Sequence, residues 1–236
     1  MKHPVIGPLL FLGLITLIAL IGFRIGLIER RFIYFPSSDL TADPSHFGLA
    51  FEEVSFTADD GVRLHGWFVP GLGDDGITWL WFHGNAGNID HRLENLKLLH
   101  DELGVSIFLF DYRGYGHSRG TPSEKGIYRD ADAALAYLRS REEIDAERIV
   151  FFGRSLGAGV AVELAARYPP YGLILESPFL SIQDMARRAY PLLSLFPLLS
   201  TRYNSVGKIG VLQIPVLIIH GDRDDIVPFE AGRTLF

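Results

Sequence analysis

Short apolar runs alternate with amphipathic segments along most of the chain. The runs are too continuous for strands with one solvated face, so they predict strands that are buried on both faces of a sheet. The segments between them carry apolar residues at helical spacing, at about residues 89–102, 123–140 and 157–168. The apolar runs read ITWLWFH, VSIFLFD, RIVFFG, YGLILES and PVLIIHG. Alternating strands and helices predict an α/β fold with a mostly parallel sheet and helices on both faces.

An antiparallel hairpin is predicted ahead of these parallel strands. The segments FEEVSFT and VRLHGWFVP flank the turn Ala58-Asp59-Asp60-Gly61, and Asp-Gly is a strong hairpin signal. In an open α/β sheet, ligands bind beyond the carboxyl ends of the strands. Polar motifs that directly follow the apolar runs are therefore the candidates for a functional site.

The N-terminal segment has a different pattern. Residues 5–23 carry no charge and are about as long as a helix must be to cross a bilayer. No small-residue cleavage site follows, which argues against a secretory signal peptide. We therefore predict a single-pass membrane anchor and juxtamembrane segment over residues 1–30, followed by one globular domain over residues 31–236.

The charges that flank the anchor predict its orientation. Lys2 precedes the apolar segment, whereas Arg24, Arg30 and Arg31 follow it. Because cytoplasmic flanks carry the excess of positive charge, this count favours a cytoplasmic location for residues 31–236.

Composition excludes several kinds of chemistry. The formal net charge of −6 argues against a nucleic-acid partner. The chain has no cysteine, which excludes disulfides, cysteine-based zinc sites and a cysteine nucleophile. We expect neither a metal site nor a cofactor.

The pattern G-x-S-x-G, typical of a serine nucleophile elbow, occurs twice, around Ser155 and around Ser118. An elbow needs a strand before the serine and a helix directly after it. Ser155 lies between RIVFF and AGVAVELAARY, with Gly153 and Gly157 allowing the strand and the helix to approach closely. Ser118 lies in a glycine-rich loop and is followed by Thr121-Pro122, so we interpret it as a loop serine.

Serine catalysis also needs backbone N–H groups that bind the oxyanion. The first is predicted on Leu156, directly after the nucleophile. The second is predicted on Asn85, in the turn His83-Gly84-Asn85 that follows ITWLWF, where Gly84 allows the backbone to turn. We interpret His83 as ordering this turn rather than transferring protons.

A catalytic acid is expected in PVLIIHGDRDDIVP, where Asp222, Asp224 and Asp225 compete. From about Arg31 onward the chain resembles the α/β-hydrolase superfamily, and within it the membrane-anchored serine-aminopeptidase-like hydrolases of the bud-emergence subgroup. The resemblance rests on YFPS, HGNAGN, DYRGYGHSRGTPSEKGIYRDADAALAYL, GRSLGAGVAVELA, ESPF and PVLIIHGDRDDIVP, in this order. It implies that Asp224 is the acid.

The same resemblance implies a catalytic histidine in a later loop, followed by a last strand and helix. No histidine follows Asp224 in the sequence, and the others are poor substitutes: His91 and His100 fall on the first predicted helix, where we expect surface positions. A serine without a base is a weak nucleophile. We therefore expect a C-terminally truncated hydrolase with little activity toward activated esters, and an apolar edge strand at VLIIH.

The predicted function is that of a membrane-anchored serine hydrolase of ester, thioester or amide bonds. The apolar segment at about residues 180–212 is expected to be a short lid that binds small-molecule esters, lipid esters or acylated proteins, or to pack in the core. Arg113 is expected to pair with Asp111 or a carbonyl rather than to contact substrate. The alternative function is a non-catalytic, membrane-tethered binding scaffold.

Overall fold

The computed structural model describes residues 30–73, 76–189 and 201–236. The predicted anchor at residues 5–23 lies outside these ranges. Among the described residues, no helix is long and apolar enough to cross a membrane.

The described strands form one large sheet and one very small one. The strands are β1 (Phe35–Pro36), β2 (Glu52–Thr57), β3 (Arg63–Val69), β4 (Thr78–Phe82), β5 (Ala86–Gly87), β6 (Ser106–Asp111), β7 (Ile149–Arg154), β8 (Gly172–Glu176) and β9 (Val216–Ile219). The large sheet has the order β2-β3-β6-β4-β7-β8-β9. β2 and β3 form the predicted antiparallel hairpin, β3 is antiparallel to β6, and the remaining neighbours are parallel. The predicted mostly parallel α/β sheet is confirmed.

Helices follow the strands as the apolar spacing predicts. The helices are α1 (Leu93–Leu103), α2 (Glu124–Arg139), α3 (Leu156–Arg167), α4 (Ile182–Ala189), α5 (Val206–Ile209) and α6 (Phe229–Leu235). Short 3-10 turns lie at Pro44–Phe47, Ile89–Arg92 and Ala146–Arg148. The Ser123 hydroxyl accepts a hydrogen bond from the Gly126 N–H and caps α2, which explains why this helix begins where the sequence predicts.

The prediction for the first helix is wrong in two details. The chain enters α1 through a 3-10 turn. His100 is buried instead of lying on the surface. Its Nε2 lies 3.0 Å from the Pro70 carbonyl oxygen, so this nitrogen of the buried ring has a hydrogen-bond partner.

The segment that follows the predicted anchor packs on the domain. β1 pairs in parallel with β5, so Phe35 lies opposite Ala86. Tyr34 is buried, and its hydroxyl lies 3.0 Å from that of Tyr203. Residues 34–37 are therefore part of the folded domain and lie against the turn after β4.

β9 forms one edge of the large sheet among the described residues. Leu217 is 53% exposed and Ile219 is 49% exposed, while Ile218 packs against the main core. One face of this apolar strand is consequently open, unlike the faces of the central strands β4, β6 and β7.

Candidate active site

Ser155 occupies a strained turn between a buried strand and a helix. It follows β7, precedes α3, and has φ 51° and ψ −115°, a conformation that L-residues rarely adopt. Its N–H donates to the carbonyl of Glu176 at the end of β8, over 2.9 Å. The sharp turn places the serine at the carboxyl ends of adjacent parallel strands, as the elbow motif predicts.

Gly153 and Gly157 permit this turn because no side chain larger than hydrogen fits at either position. A Cβ added to Gly157 would lie 1.9 Å from the carbonyl oxygen of Phe82. A Cβ added to Gly153 would lie 2.5 Å from the carbonyl oxygen of Gly157. The start of α3 therefore lies directly against the end of β4, and any larger side chain at Gly157 would separate Ser155 from the turn that follows β4.

That turn, His83-Gly84-Asn85, lies next to the serine. A Cβ on Gly84 would be 3.9 Å from the Cβ of Ser155. Leu156 is the first residue of α3, so its N–H has no acceptor within the helix. The structure thus brings the predicted elbow and the predicted oxyanion turn together at the carboxyl ends of β4 and β7.

Asn85 is held in place by the N-terminal segment. Its Nδ2 donates to the Ile33 carbonyl at 2.6 Å. Its own carbonyl accepts from the Phe35 N–H at 3.2 Å and from the Tyr115 hydroxyl at 2.8 Å. None of these bonds uses the Asn85 N–H. The sequence did not indicate this anchoring, because Ile33 and Tyr115 lie 52 and 30 positions from Asn85 along the chain.

His83 is buried and its contacts fit an ordering role. Nδ1 donates to the Gly84 carbonyl at 2.7 Å, and the ring packs on Tyr112 with centroids 4.2 Å apart. Burial, together with the positive charge of Arg92, lowers the pKa of His83 to about 3, although the bond to Gly84 acts in the opposite direction. The imidazole is therefore neutral at physiological pH.

Asp224 organises its own loop. Oδ1 accepts from the N–H groups of Ile226 and Val227, both at 2.9 Å. Burial acts to raise the pKa of Asp224, but the amide bonds, the Ser177 hydroxyl and His220 outweigh it and hold the pKa below its ordinary value. The competing Asp222 and Asp225 are exposed. Of the three candidates, Asp224 is thus the least exposed.

His220 lies beside this acid but faces the last helix. Its Nε2 donates to the Val227 carbonyl at 2.8 Å and is 3.6 Å from Asp224 Oδ2. The ring packs edge-on against Phe229, and its Nδ1 lies against Gly232 of α6. No described residue makes a hydrogen bond to the Ser155 hydroxyl, so the described residues supply no general base to it in this conformation.

Ser118 has a structural role. Its hydroxyl donates to the Asp111 carbonyl at 2.7 Å and accepts from the His65 N–H at 2.9 Å. Because both bonds are buried and fix the loop after β6 to β3, this hydroxyl is not free for chemistry. The loop interpretation of the second G-x-S-x-G motif agrees with these contacts.

Arg113 pairs with carboxylates other than the one proposed from the sequence. It forms buried hydrogen bonds to Asp130 on α2, at 2.8 Å from Nη2, and to Asp60 in the hairpin turn, at 2.8 Å from Nη1. Asp111, the suggested partner, lies elsewhere, against His65 and Ile89. Arg113 therefore joins the hairpin to α2 and has little surface left for substrate.

The predicted lid at residues 180–212 is described at both of its ends, and Tyr203 in the second of them packs in the core. Tyr203 is fully buried, and its N–H donates to Glu124 Oε1 at 2.7 Å. The most apolar part of the segment, residues 190–200, lies outside the described residues. Core packing thus holds at Tyr203, whereas Val206 and Val211 in the same part of the segment are exposed.

Comparisons with known proteins agree with this geometry. A family model described as serine aminopeptidase, S33, matches residues 80–208, which is more than half of the chain. An uncharacterized protein of Mycobacterium tuberculosis is 44% identical over 208 residues, covering 88% of this chain and 74% of the relative. A protein of Saccharomyces cerevisiae described as an uncharacterized membrane protein is 34% identical over 198 residues, covering 82% of this chain and 69% of the relative.

Solved structures show the same fold. An esterase of Pyrococcus furiosus superposes with a TM-score of 0.70 at 22% identity, covering 86% of this chain and 82% of the esterase. At this identity the likeness concerns the fold alone. It confirms the α/β-hydrolase architecture that the sequence resemblance implied.

Proposed function

Because the chain belongs to the serine aminopeptidase S33 family of α/β hydrolases, we propose that it cleaves carboxylic ester, thioester or amide bonds with Ser155 as the nucleophile. The observation that carries this proposal is the strained backbone of Ser155, with φ 51°, directly after β7 and directly before α3. Strain of this kind costs about 1–3 kcal/mol and persists where the surrounding structure enforces it. Ser177 and Tyr203 also have positive φ, but neither lies between a strand and a helix that begins at the next residue.

In the proposed reaction, the Ser155 oxygen attacks the carbonyl carbon and the serine proton passes to an imidazole base. The N–H groups of Leu156 and Asn85 bind the carbonyl oxygen as it becomes negative, and the N-terminus of α3 favours that charge. The leaving group takes the proton, and water then hydrolyses the acyl-serine. Asp224 is the proposed acid that orients the base and stabilises its protonated form.

The base is the part of this machinery that the described residues do not supply to Ser155. We therefore propose that this chain turns over activated esters slowly and that an added imidazole restores part of the rate. General bases contribute about 10²- to 10⁴-fold in serine hydrolases, so even a diffusible substitute has a measurable effect.

The test is hydrolysis of p-nitrophenyl butyrate by the full chain at increasing imidazole concentration. Free imidazole also cleaves this ester, so the rate of Ser155→Ala under the same conditions is subtracted. We expect a Ser155-dependent rate that rises with imidazole and is retained in Ser118→Ala, the serine of the second motif. Equal rates for the parent and Ser155→Ala would contradict the proposal and favour the non-catalytic binding scaffold.

We further propose that residues 5–23 anchor the protein in a membrane with residues 31–236 on the cytoplasmic side. The uncharged segment and the arginines that follow it support this, as does the description of the yeast relative as a membrane protein. Extraction of membranes with carbonate should retain the full chain and release a variant that lacks residues 1–29. Digestion of the domain by protease added outside sealed cells would contradict the orientation.

An anchored domain of this kind suits acylated substrates. We propose small-molecule esters, lipid esters or acylated proteins, because the segment at residues 180–212 is apolar over much of its length. A series of p-nitrophenyl esters of increasing chain length, assayed with imidazole, tests this. A rate that falls steadily with acyl length would argue against a lipid-ester substrate.

A further inference from the structure

Away from the proposed nucleophile, a carboxylate and two imidazoles meet at the surface of the hairpin. Glu53 lies on β2, His65 on β3, and His117 in the loop after β6. One ligand atom from each of the three residues lies within 4.8 Å of the others. The three side chains line a cavity of about 840 Å³, and neither Ser155 nor Asp224 lines it. The cluster is therefore separate from the proposed active site.

We propose that Glu53, His65 and His117 bind one divalent transition-metal ion, with Zn²⁺ as the reference ion. Two histidines and one glutamate are a known ligand set of zinc sites that keep one coordination position open. Glu53 Oε1 and His65 Nε2 are 3.1 Å apart. Two ligands of a tetrahedral zinc ion with bonds of about 2.0–2.2 Å are separated by roughly 3.3 Å, so little movement is needed.

The surroundings of His65 give the second, independent observation. Its Nδ1 is buried and has no hydrogen-bond partner among the described residues, and the same holds for Asp111 Oδ2. These two atoms are 3.9 Å apart. Two buried polar atoms that face each other without a bond are costly, because each has lost its water.

A metal ion on Nε2 resolves this arrangement. If the neutral ring carries its proton on Nε2 and donates to Glu53, the lone pair of Nδ1 faces the Asp111 carboxylate. A metal ion at Nε2 moves the proton to Nδ1, which then points at Asp111 Oδ2. Metal-binding histidines usually donate their second N–H to a carboxylate in this way, which fixes the ring and raises its basicity.

The site is accessible and has room for a further ligand. Glu53 and His117 are exposed, so an ion can enter from solvent without opening the core. Arg63 and Arg119 line the same cavity. Their positive charge favours an anionic ligand, such as hydroxide or a carboxylate, at the open coordination position.

The cluster has no signature in the sequence. Metal motifs are recognised by short fixed spacings, whereas these ligands come from two strands and a distant loop. Antiparallel pairing sets Ser55 opposite His65, which places Glu53 diagonally across the same face of the hairpin. The expectation of no metal site followed from the absence of cysteine and of such spacings.

The test is calorimetric titration of Zn²⁺ into the full chain, produced without a histidine tag and kept in detergent. We expect one equivalent of Zn²⁺ to bind, and at least about tenfold weaker binding by Glu53→Gln and His117→Ala. Both residues are exposed, so these variants leave the core intact. The matched control is His46→Ala, because His46 also lies beside a carboxylate, Asp43, at 3.2 Å but belongs to no three-ligand cluster among the described residues.

A second readout follows the geometry of the bound ion. Co²⁺ in place of Zn²⁺ should give visible absorption bands that disappear in His117→Ala, and Zn²⁺ should raise the melting temperature of the parent but not of Glu53→Gln.

Asp111→Asn should weaken Zn²⁺ binding about 10- to 100-fold through loss of the partner of Nδ1. Absence of binding by the parent, or unchanged affinity in both Glu53→Gln and His117→Ala, would overturn the proposal. None of these measurements depends on hydrolysis.

Discussion

The side-chain amide of Asn85 donates to the carbonyl of Ile33 over 2.6 Å. This bond joins the proposed oxyanion turn to the segment that connects the domain with the predicted anchor. The bond from the Phe35 N–H to the Asn85 carbonyl reinforces the same link. The position of the Asn85 N–H is therefore set by residues that precede the sheet, not only by the strand that leads into the turn.

Replacing Asn85 by alanine should lower the Ser155-dependent, imidazole-assisted rate by at least about tenfold. The backbone N–H remains, but the side-chain bond that aims it is lost, and removal of a whole oxyanion donor costs about 10²–10³ in kcat. Ester hydrolysis with and without imidazole measures this. Gln213→Ala, which removes an exposed amide, is the control, and equal effects of the two substitutions would contradict the positioning role.

Gly157→Ala should destabilise the protein strongly. The added methyl group would lie 1.9 Å from the Phe82 carbonyl oxygen, so α3 must move away from β4. Overpacking of this kind costs about 3 kcal/mol or more in the free energy of unfolding. Chemical denaturation measures the change, and Gly210→Ala is the matched control because a Cβ at Gly210 meets nothing within 4 Å.

Stability should fall in acid partly because of His83. Its pKa is lowered to about 3 from an ordinary value of 6.5, so between these pH values the unfolded chain binds a proton that the folded chain does not. The contribution of His83 is thus present above about pH 6.5 and is lost as the pH falls toward 3, at up to roughly 1.4 kcal/mol per pH unit.

The variant His83→Asn keeps a donor for the Gly84 carbonyl but does not titrate. Denaturation curves from pH 7 to pH 4 should therefore show a smaller loss of stability for His83→Asn than for the parent. His46→Asn, at an exposed position, should follow the parent. Parallel slopes for the parent and His83→Asn would contradict a neutral, buried His83.

The backbone of Ser155 gives a prediction about stability that is independent of chemistry. Glycine adopts φ 51° without a steric penalty, whereas alanine retains the strain. Ser155→Gly should therefore be more stable than Ser155→Ala by about 1 kcal/mol or more, measured by denaturation at neutral pH. A lower stability for Ser155→Gly would show that the turn is unstrained.

Most of the fold could be predicted because local signals agreed with the tertiary structure. Continuous apolar runs predicted β4, β6 and β7, which are buried on both faces, and the Asp-Gly turn predicted the β2–β3 hairpin. β9 differs because one of its faces is open. Its apolar sequence alone does not reveal which face lacks a neighbour.

The parts that sequence reasoning missed depend on contacts between distant segments. Arg113 reaches Asp60, 53 positions away along the chain, so the nearer Asp111 was the more obvious partner. His100 is buried, and its Nε2 has a hydrogen-bond partner in the Pro70 carbonyl of a distant loop. The helical spacing of apolar residues does not predict such a contact. The nucleophile elbow was recognisable because its strand, serine and helix are contiguous. The cluster of Glu53, His65 and His117 was not recognisable, because its members lie far apart in the sequence.

Covalent labelling distinguishes Ser155 from every other serine as the nucleophile. The full chain is incubated with a fluorophosphonate in the presence of imidazole, digested, and the modified peptide is identified by mass spectrometry. We expect a single adduct on Ser155 and none in Ser155→Ala, while Ser118 stays unmodified. An adduct on Ser118 or another serine, or an unlabelled Ser155 under conditions where imidazole accelerates ester hydrolysis, would contradict this assignment.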